Sequence, residues 1–175
     1  MKNLIILGGN SKNNIPWIKE MEESYKKDYN VSTLFYDNWD EENKDIDFDL
    51  ELNKLVEITK EYDEHIIISK SAGSLLALNG ITSNLINPKL LVIMGIPLKF
   101  LNHFNVDIKD LFNKVLIKTK ILVIQQKNDP QGSSQEIEKI LTNNVNFIEI
   151  PGNNHAYNEI SYIKNIIDNF ISKNY

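Results

Sequence analysis

Six short β-branched runs, separated by stretches with helical periodicity, constrain this chain more than any other feature of it. The runs are Leu4 to Leu7, Val31 to Tyr36, His65 to Ser69, Leu90 to Met94, Ile121 to Gln125 and Val145 to Ile150. Most are continuously apolar rather than alternating, as expected when helices cover both faces of a parallel sheet and leave its strands no wet side. Between them the period changes. Ile18, Met21 and Tyr25 share a face after Pro16, which suits a first helical position, and Leu52, Leu55, Val56 and Thr59 share another. Ser133 and Glu136 have the spacing of a capping box that opens a helix carrying Ile137, Ile140 and Leu141, and Ile160, Ile163, Ile167 and Phe170 line the last helix. Alternation of this kind predicts a three-layer α/β/α sandwich around a mostly parallel six-stranded sheet with right-handed crossovers.

A length of 175 residues without an internal repeat or linker predicts one domain over 1–175. With 42% hydrophobic and 25% charged residues the composition is globular, and no run approaches the roughly 18 apolar residues of a membrane span. MKNLIILGGN has a lysine and a short apolar stretch, but no cleavage site follows, so it reads as a first strand. The absence of cysteine excludes a disulfide scaffold and thiolate chemistry and fits a cytoplasmic location. A net charge of −5 with scattered lysines offers no basic stripe for nucleic acid. The acidic stretch DNWDEENKDIDFD reads as a solvated loop leading into a helix.

Function in such sheets sits in the loops beyond the carboxyl ends of the strands. Three of those loops carry side chains that make sense together: Ser71 after the third strand, Asp129 in QKNDPQGSS after the fifth, and His155 in PGNNHAY after the sixth. Ser, Asp, His is the chain order of the α/β-hydrolases. The segment ILVIQQKNDPQGSSQEIEKI followed by VNFIEIPGNNHAY resembles the acid and base strands of that superfamily. SKSAGS resembles its nucleophile elbow, in particular the lysine-bearing elbows of small hydrolases in the dienelactone-hydrolase-like branch. The resemblance covers residues 64 to 157. It implies a minimal α/β-hydrolase fold with strand order 2-1-3-4-5-6 and no substantial lid. Two departures stand out: the elbow pattern GxSxG becomes Ser69-Lys70-Ser71-Ala72-Gly73, and the first strand ends in GGNSKNN with no histidine before its glycines.

The chemistry follows from the residue types. A serine hydroxyl is not ionised at neutral pH, so His155 would take the Oγ proton during attack on an acyl carbon. Asp129 would hold the imidazole in the right tautomer and stabilise the imidazolium. Backbone N–H groups of Ala72 and of the Gly9-Asn10 turn would meet the developing oxyanion. The expected activity is that of a serine hydrolase of the carboxylesterase kind, cleaving a small ester or related acyl substrate through an acyl-enzyme and needing no cofactor. Pocket walls are expected from the loops around Trp39 and around Ile96 to Phe104, including Leu98 and Phe100, and they suit a small apolar group. About a dozen residues between Met94 and the next helix leave no room for a folded cap. Lys70 points away from Ser71 and is assigned a packing or orienting role. Three histidines without HExxH spacing give no metal site; His65 reads as structural and His103 as a candidate for the pocket wall. Two other readings stay open. One is a non-catalytic relative with a vestigial triad. The other is a flavodoxin- or Rossmann-like nucleotide-binding module using GGNSKNN as a phosphate cradle, although GxxxxGK[ST] and GxGxxG are both absent and only Asp37 could meet a ribose.

Overall fold

Strands with a continuous apolar run have to be sheltered on both faces, and β3 and β4 are buried at every position. In the computed structural model, which describes residues 1–40, 44–103, 106–142 and 144–175, β1 (Lys2–Leu7) is followed by α1 (Ile15–Tyr25), β2 (Tyr29–Leu34), α2 (Phe48–Lys60) and β3 (His65–Lys70). Then come α3 (Ala72–Thr82), β4 (Leu90–Met94), α4 (Leu98–His103), α5 (Ile108–Leu116) and β5 (Lys120–Gln126). The chain closes with α6 (Ser134–Ile140), β6 (Asn146–Ile150) and α7 (Ile160–Asn174). The six strands pair in the order β2-β1-β3-β4-β5-β6, every pair parallel.

Right-handed crossovers turn that order into layers. The chain steps one way from β1 to β2 and the other way from β2 onward, so α1 is carried to the face opposite the later crossovers. There α7 packs against it and over β4 and β5, while α2, α3 and α5 pack together on the other face. Strand order reverses between β1 and β3, the place where such sheets open a crevice. Ends are set by local chemistry. The Asp47 carboxylate accepts the Leu50 N–H at 3.0 Å to cap α2, and Ser133 with Glu136 forms the expected capping box on α6.

Most strand ends fall within one or two residues of the sequence reading, and two differences bear on the site. β2 runs from Tyr29 to Leu34 rather than from Val31 to Tyr36, because its register with β1 ends at Leu7↔Leu34. Beyond that point no strand residue remains to pair with, and Tyr36 turns inward, its hydroxyl donating to the Gly8 carbonyl at 3.0 Å. The expected open stretch after Met94 is also shorter: Leu98 and Leu101, one turn apart and both buried, hold α4 against the core. Phe104, named with that stretch, lies outside the described residues.

His65 opens β3 at the end of the sheet away from the crevice. It is 4% exposed, and neither ring nitrogen has a hydrogen-bond partner among the described residues. Burial pushes its pKa below the ordinary histidine value. The unfolded chain therefore binds the proton first as pH falls, and stability should drop from about pH 6.5 downward until the folded-state pKa is passed. Urea midpoints between pH 7.5 and 5 should fall more in the wild type than in His65→Leu; parallel curves would remove His65 from the acid response.

Candidate active site

β3 delivers Ser71, and α3 begins at the next residue, so the backbone has to turn at once. Ser71 takes φ 52° and ψ −116°, a conformation costing on the order of 1–3 kcal/mol that persists only where its surroundings enforce it. The enforcement is visible. Ser71 N–H donates to the Met94 carbonyl at 2.9 Å, and Gly73 N–H donates to the Gly8 carbonyl at 2.9 Å. A Cβ at Gly73 would lie 2.6 Å from the Gly8 carbonyl oxygen and 2.7 Å from the Leu7 Cβ. Gly73→Ala should accordingly cost about 1–3 kcal/mol by overpacking; an unchanged denaturant midpoint would contradict this close approach. Ser69, standing where the elbow pattern has its first glycine, is fully buried. Its hydroxyl donates to the Val92 carbonyl at 2.8 Å and has Ser74 Oγ at 3.1 Å, so the substitution leaves no polar group orphaned.

Asp129 follows β5 with its side chain wholly shielded from solvent. Its carboxylate accepts three hydrogen bonds: Gln131 N–H at 2.8 Å, the Tyr157 hydroxyl at 2.7 Å, and His155 Nδ1–H at 2.8 Å. A carboxylate only accepts, so Nδ1 carries a proton, and in the neutral imidazole Nε2 keeps its lone pair. Nε2 is buried and has no hydrogen-bond partner among the described residues. Burial, and then the adjacent Asp129 carboxylate, hold the Tyr157 phenol well above its ordinary pKa, so that it stays a donor. The loop carrying His155 is itself strained, with φ 59° at His155 and 57° at Tyr157. Gln126 braces it from below, its side-chain oxygen accepting the N–H groups of Asn154 at 3.1 Å and His155 at 3.0 Å.

Ser71 and His155 line one cleft of about 970 Å³, together with Gly9, Asn10 and Ala72. The structure brings Asp129 and His155 into hydrogen-bond contact and sets Ser71 on the same cleft; it does not join Ser71 to His155 by a hydrogen bond. Ala72 is the first residue of α3, so its N–H is one of the donors a helix leaves unpaired. Across from it, the Gly8 carbonyl is taken up by Tyr36 and Gly73, and the Asn10 carbonyl by Asn38 Nδ2 at 2.8 Å and Trp39 Nε1 at 2.9 Å. The Asn10 side chain also accepts the Ile46 N–H at 3.0 Å, so the turn bordering the cleft is pinned from several directions.

No protein-family model matches the sequence, and no curated protein matches it. Solved structures do. Est1E from Butyrivibrio proteoclasticus, seen with ferulic acid bound, superposes with a TM-score of 0.74 at 14% identity, over 99% of this chain and 89% of that one. A putative hydrolase of the α/β superfamily from Xanthomonas campestris pv. campestris superposes with a TM-score of 0.72 at 11% identity, over 99% of both chains. The chain has the α/β-hydrolase fold. An uncharacterized protein from Bacillus cereus ATCC 10987 is similar as well, with a TM-score of 0.73 at 20% identity over 98% of this chain, which spans 60% of that protein's length.

Within the α/β-hydrolase fold, three of the four side chains expected on the pocket wall sit elsewhere. Trp39 is 5% exposed and packs behind the Gly9-Asn10 turn against Tyr36, with ring centroids 4.9 Å apart. Its indole N–H binds the turn rather than facing the cleft. Ile96 is buried at the end of β4, its N–H held by Gln125 Oε1 at 2.9 Å, and Leu98 is buried against Gly132. Phe100 does line the cleft, with Ile46, Phe48, Leu75, Pro97 and Val106. His103 lies on α4 away from it. Sequence reasoning missed Gln126, Tyr157 and Trp17, which bond to the His155 loop or to its Asp129 partner, and Gly95, against which the His155 and Tyr157 rings pack. One signal was available: the glycine directly after β4, with φ 64°, marks a point where a side chain cannot be accommodated. Among the described residues, no group of three or more His, Asp or Glu could hold a metal ion, and no helix is long and apolar enough to cross a membrane.

Proposed function

We propose that this chain is a serine hydrolase that cleaves a small ester or related acyl substrate. The reading rests above all on the orientation of His155: Nδ1 is committed to a buried carboxylate, while Nε2 is left as a shielded, unpaired acceptor in the cleft that holds Ser71. A protein with no use for a base would be expected to satisfy that nitrogen. Ser71 Oγ attacks the carbonyl carbon as Nε2 takes its proton, Asp129 stabilises the imidazolium, and the N–H groups of Ala72 and of Gly9 or Asn10 receive the oxyanion. His155 returns the proton to the leaving alcohol. It then activates the water that releases the acyl group from Ser71.

The apolar wall of Ile46, Phe48, Leu75, Pro97, Phe100 and Val106 supports a substrate with an aliphatic or aromatic group on that side of the scissile bond. The similarity to Est1E, a structure that holds an aromatic acid, is compatible with it. A fluorophosphonate probe with a panel of p-nitrophenyl esters of increasing acyl length tests the reading. Labelling at Ser71 and a chain-length optimum support it. A folded protein that neither labels nor turns over any ester is the outcome expected of a non-catalytic relative.

A further inference from the structure

Lys70 reaches from the nucleophile's strand to the base's loop. Alternation along β3 sends it to the face opposite Ser69, where Nζ donates to the Ala156 carbonyl at 3.0 Å and lies 4.8 Å from the centroid of the Trp17 ring. The Trp17 indole N–H donates in turn to the Tyr157 carbonyl at 3.0 Å. Two successive carbonyls of the base loop are thus tethered by side chains far away in sequence. The two residues flanking Ala156 are the ones with positive φ, and each such residue costs on the order of 1–3 kcal/mol unless its surroundings hold it. Gln126 holds the N–H side of this loop, and Lys70 with Trp17 holds the carbonyl side.

Charge pairing does not account for a lysine here. Its side chain is nearly buried, and no carboxylate among the described residues pairs with it. Burial pushes its pKa down to about 8. An apolar side chain of similar length would avoid burying an ammonium but would leave the Ala156 carbonyl without this donor, so the lysine is explained by what it holds. We propose that Lys70 is a positioning residue: by gripping the Ala156 carbonyl it fixes the His155 imidazole relative to Ser71, its own neighbour in the chain. This rests on the hydrolase reading of the site, but its structural half can be read without turnover.

Lys70→Met and Lys70→Arg are the informative variants. In Lys70→Met the protein should still fold by circular dichroism, while kcat for p-nitrophenyl butyrate falls about 10- to 10²-fold, the scale of a misplaced catalytic group, and KM moves less than about twofold. Lys70→Arg, which keeps a donor within reach of the carbonyl, should recover a large part of kcat. Independently, the His155 Nδ1–H proton, strongly deshielded by its bond to Asp129, should give a downfield proton NMR signal in Ser71→Ala. That signal should broaden through exchange when Lys70→Met is added and stay sharp when Lys70→Arg is added. An unchanged signal in Lys70→Met overturns the proposal, whatever the kinetics. A signal lost in Lys70→Met and kept in Lys70→Arg upholds the tether even if the wild type hydrolyses no ester, in which case only the hydrolase reading falls.

Discussion

Ser71→Ala should abolish fluorophosphonate labelling and lower ester turnover by on the order of 10⁴ to 10⁶, with the fold intact by circular dichroism. The size follows from what is removed. Without Oγ there is no acyl-enzyme, and the reaction left over is attack by water in a cleft that still offers oxyanion donors, worth roughly 10³ to 10⁴ over solution. His155→Ala should cost about as much, because a neutral hydroxyl with no base beside it is a poor nucleophile. Asp129→Asn should hurt less than either, about 10⁴, through the tautomer: an amide in place of the carboxylate no longer requires the proton on Nδ1, so Nε2 loses its claim to be the base. The double variant Ser71→Ala/His155→Ala separates a working unit from three unrelated residues. Its activity should be no lower than that of the worse single variant, since removing one member already idles the other. Losses that multiply, or wild-type activity in the three single variants, would refute the triad.

Gly95→Ala is expected to damage the site as well, although less than loss of Ser71 or His155 and although Gly95 touches no substrate. It follows β4 at φ 64°, and a Cβ there would lie 2.7 Å from Tyr157 Cε2, 2.9 Å from His155 Cε1 and 3.2 Å from His155 Nδ1. Neither ring can retreat freely, because both are bonded to the same buried carboxylate. The methyl group therefore either breaks the Asp129–His155 contact or shifts the imidazole across the cleft. A displacement of about 1 Å is enough to lower kcat/KM about 10²-fold, and the disfavoured φ together with the crowding should cost about 1–3 kcal/mol of stability. Steady-state kinetics and a urea titration of the same sample read both effects. Wild-type kcat/KM in Gly95→Ala would show that the imidazole is not confined between β4 and Asp129.

How much of this was legible in the residues divides along a physical line. The strands β3, β4 and β5 could be read because burial on both faces leaves an apolar run at the centre of each, and Ser71, Asp129 and His155 were singled out because they stand in the loops after β3, β5 and β6. The outer strand β2 was misplaced toward its carboxyl end because Phe35 and Tyr36 are as β-prone as the residues before them. Only pairing with β1 decides where the strand stops. Trp39, Ile96 and Leu98 were assigned to the pocket for being apolar and near the right loops, yet an apolar side chain beside a loop can turn either way, and in all three packing won. The supports of the base were the least visible: Trp17 meets Tyr157 across 140 positions and Lys70 meets Ala156 across 86. No local periodicity or motif encodes contacts at such separations.

That same separation orders events during synthesis. The elbow at Ser71 needs β1, β3 and β4, all of which leave the ribosome well before the loop that bears His155. With elongation at roughly 5–20 residues per second, several seconds separate Ser71 from His155. On the serine-hydrolase reading proposed above, an unfinished copy would be inert toward esters around it, and competence would arrive only when the imidazole is delivered from the loop after β6.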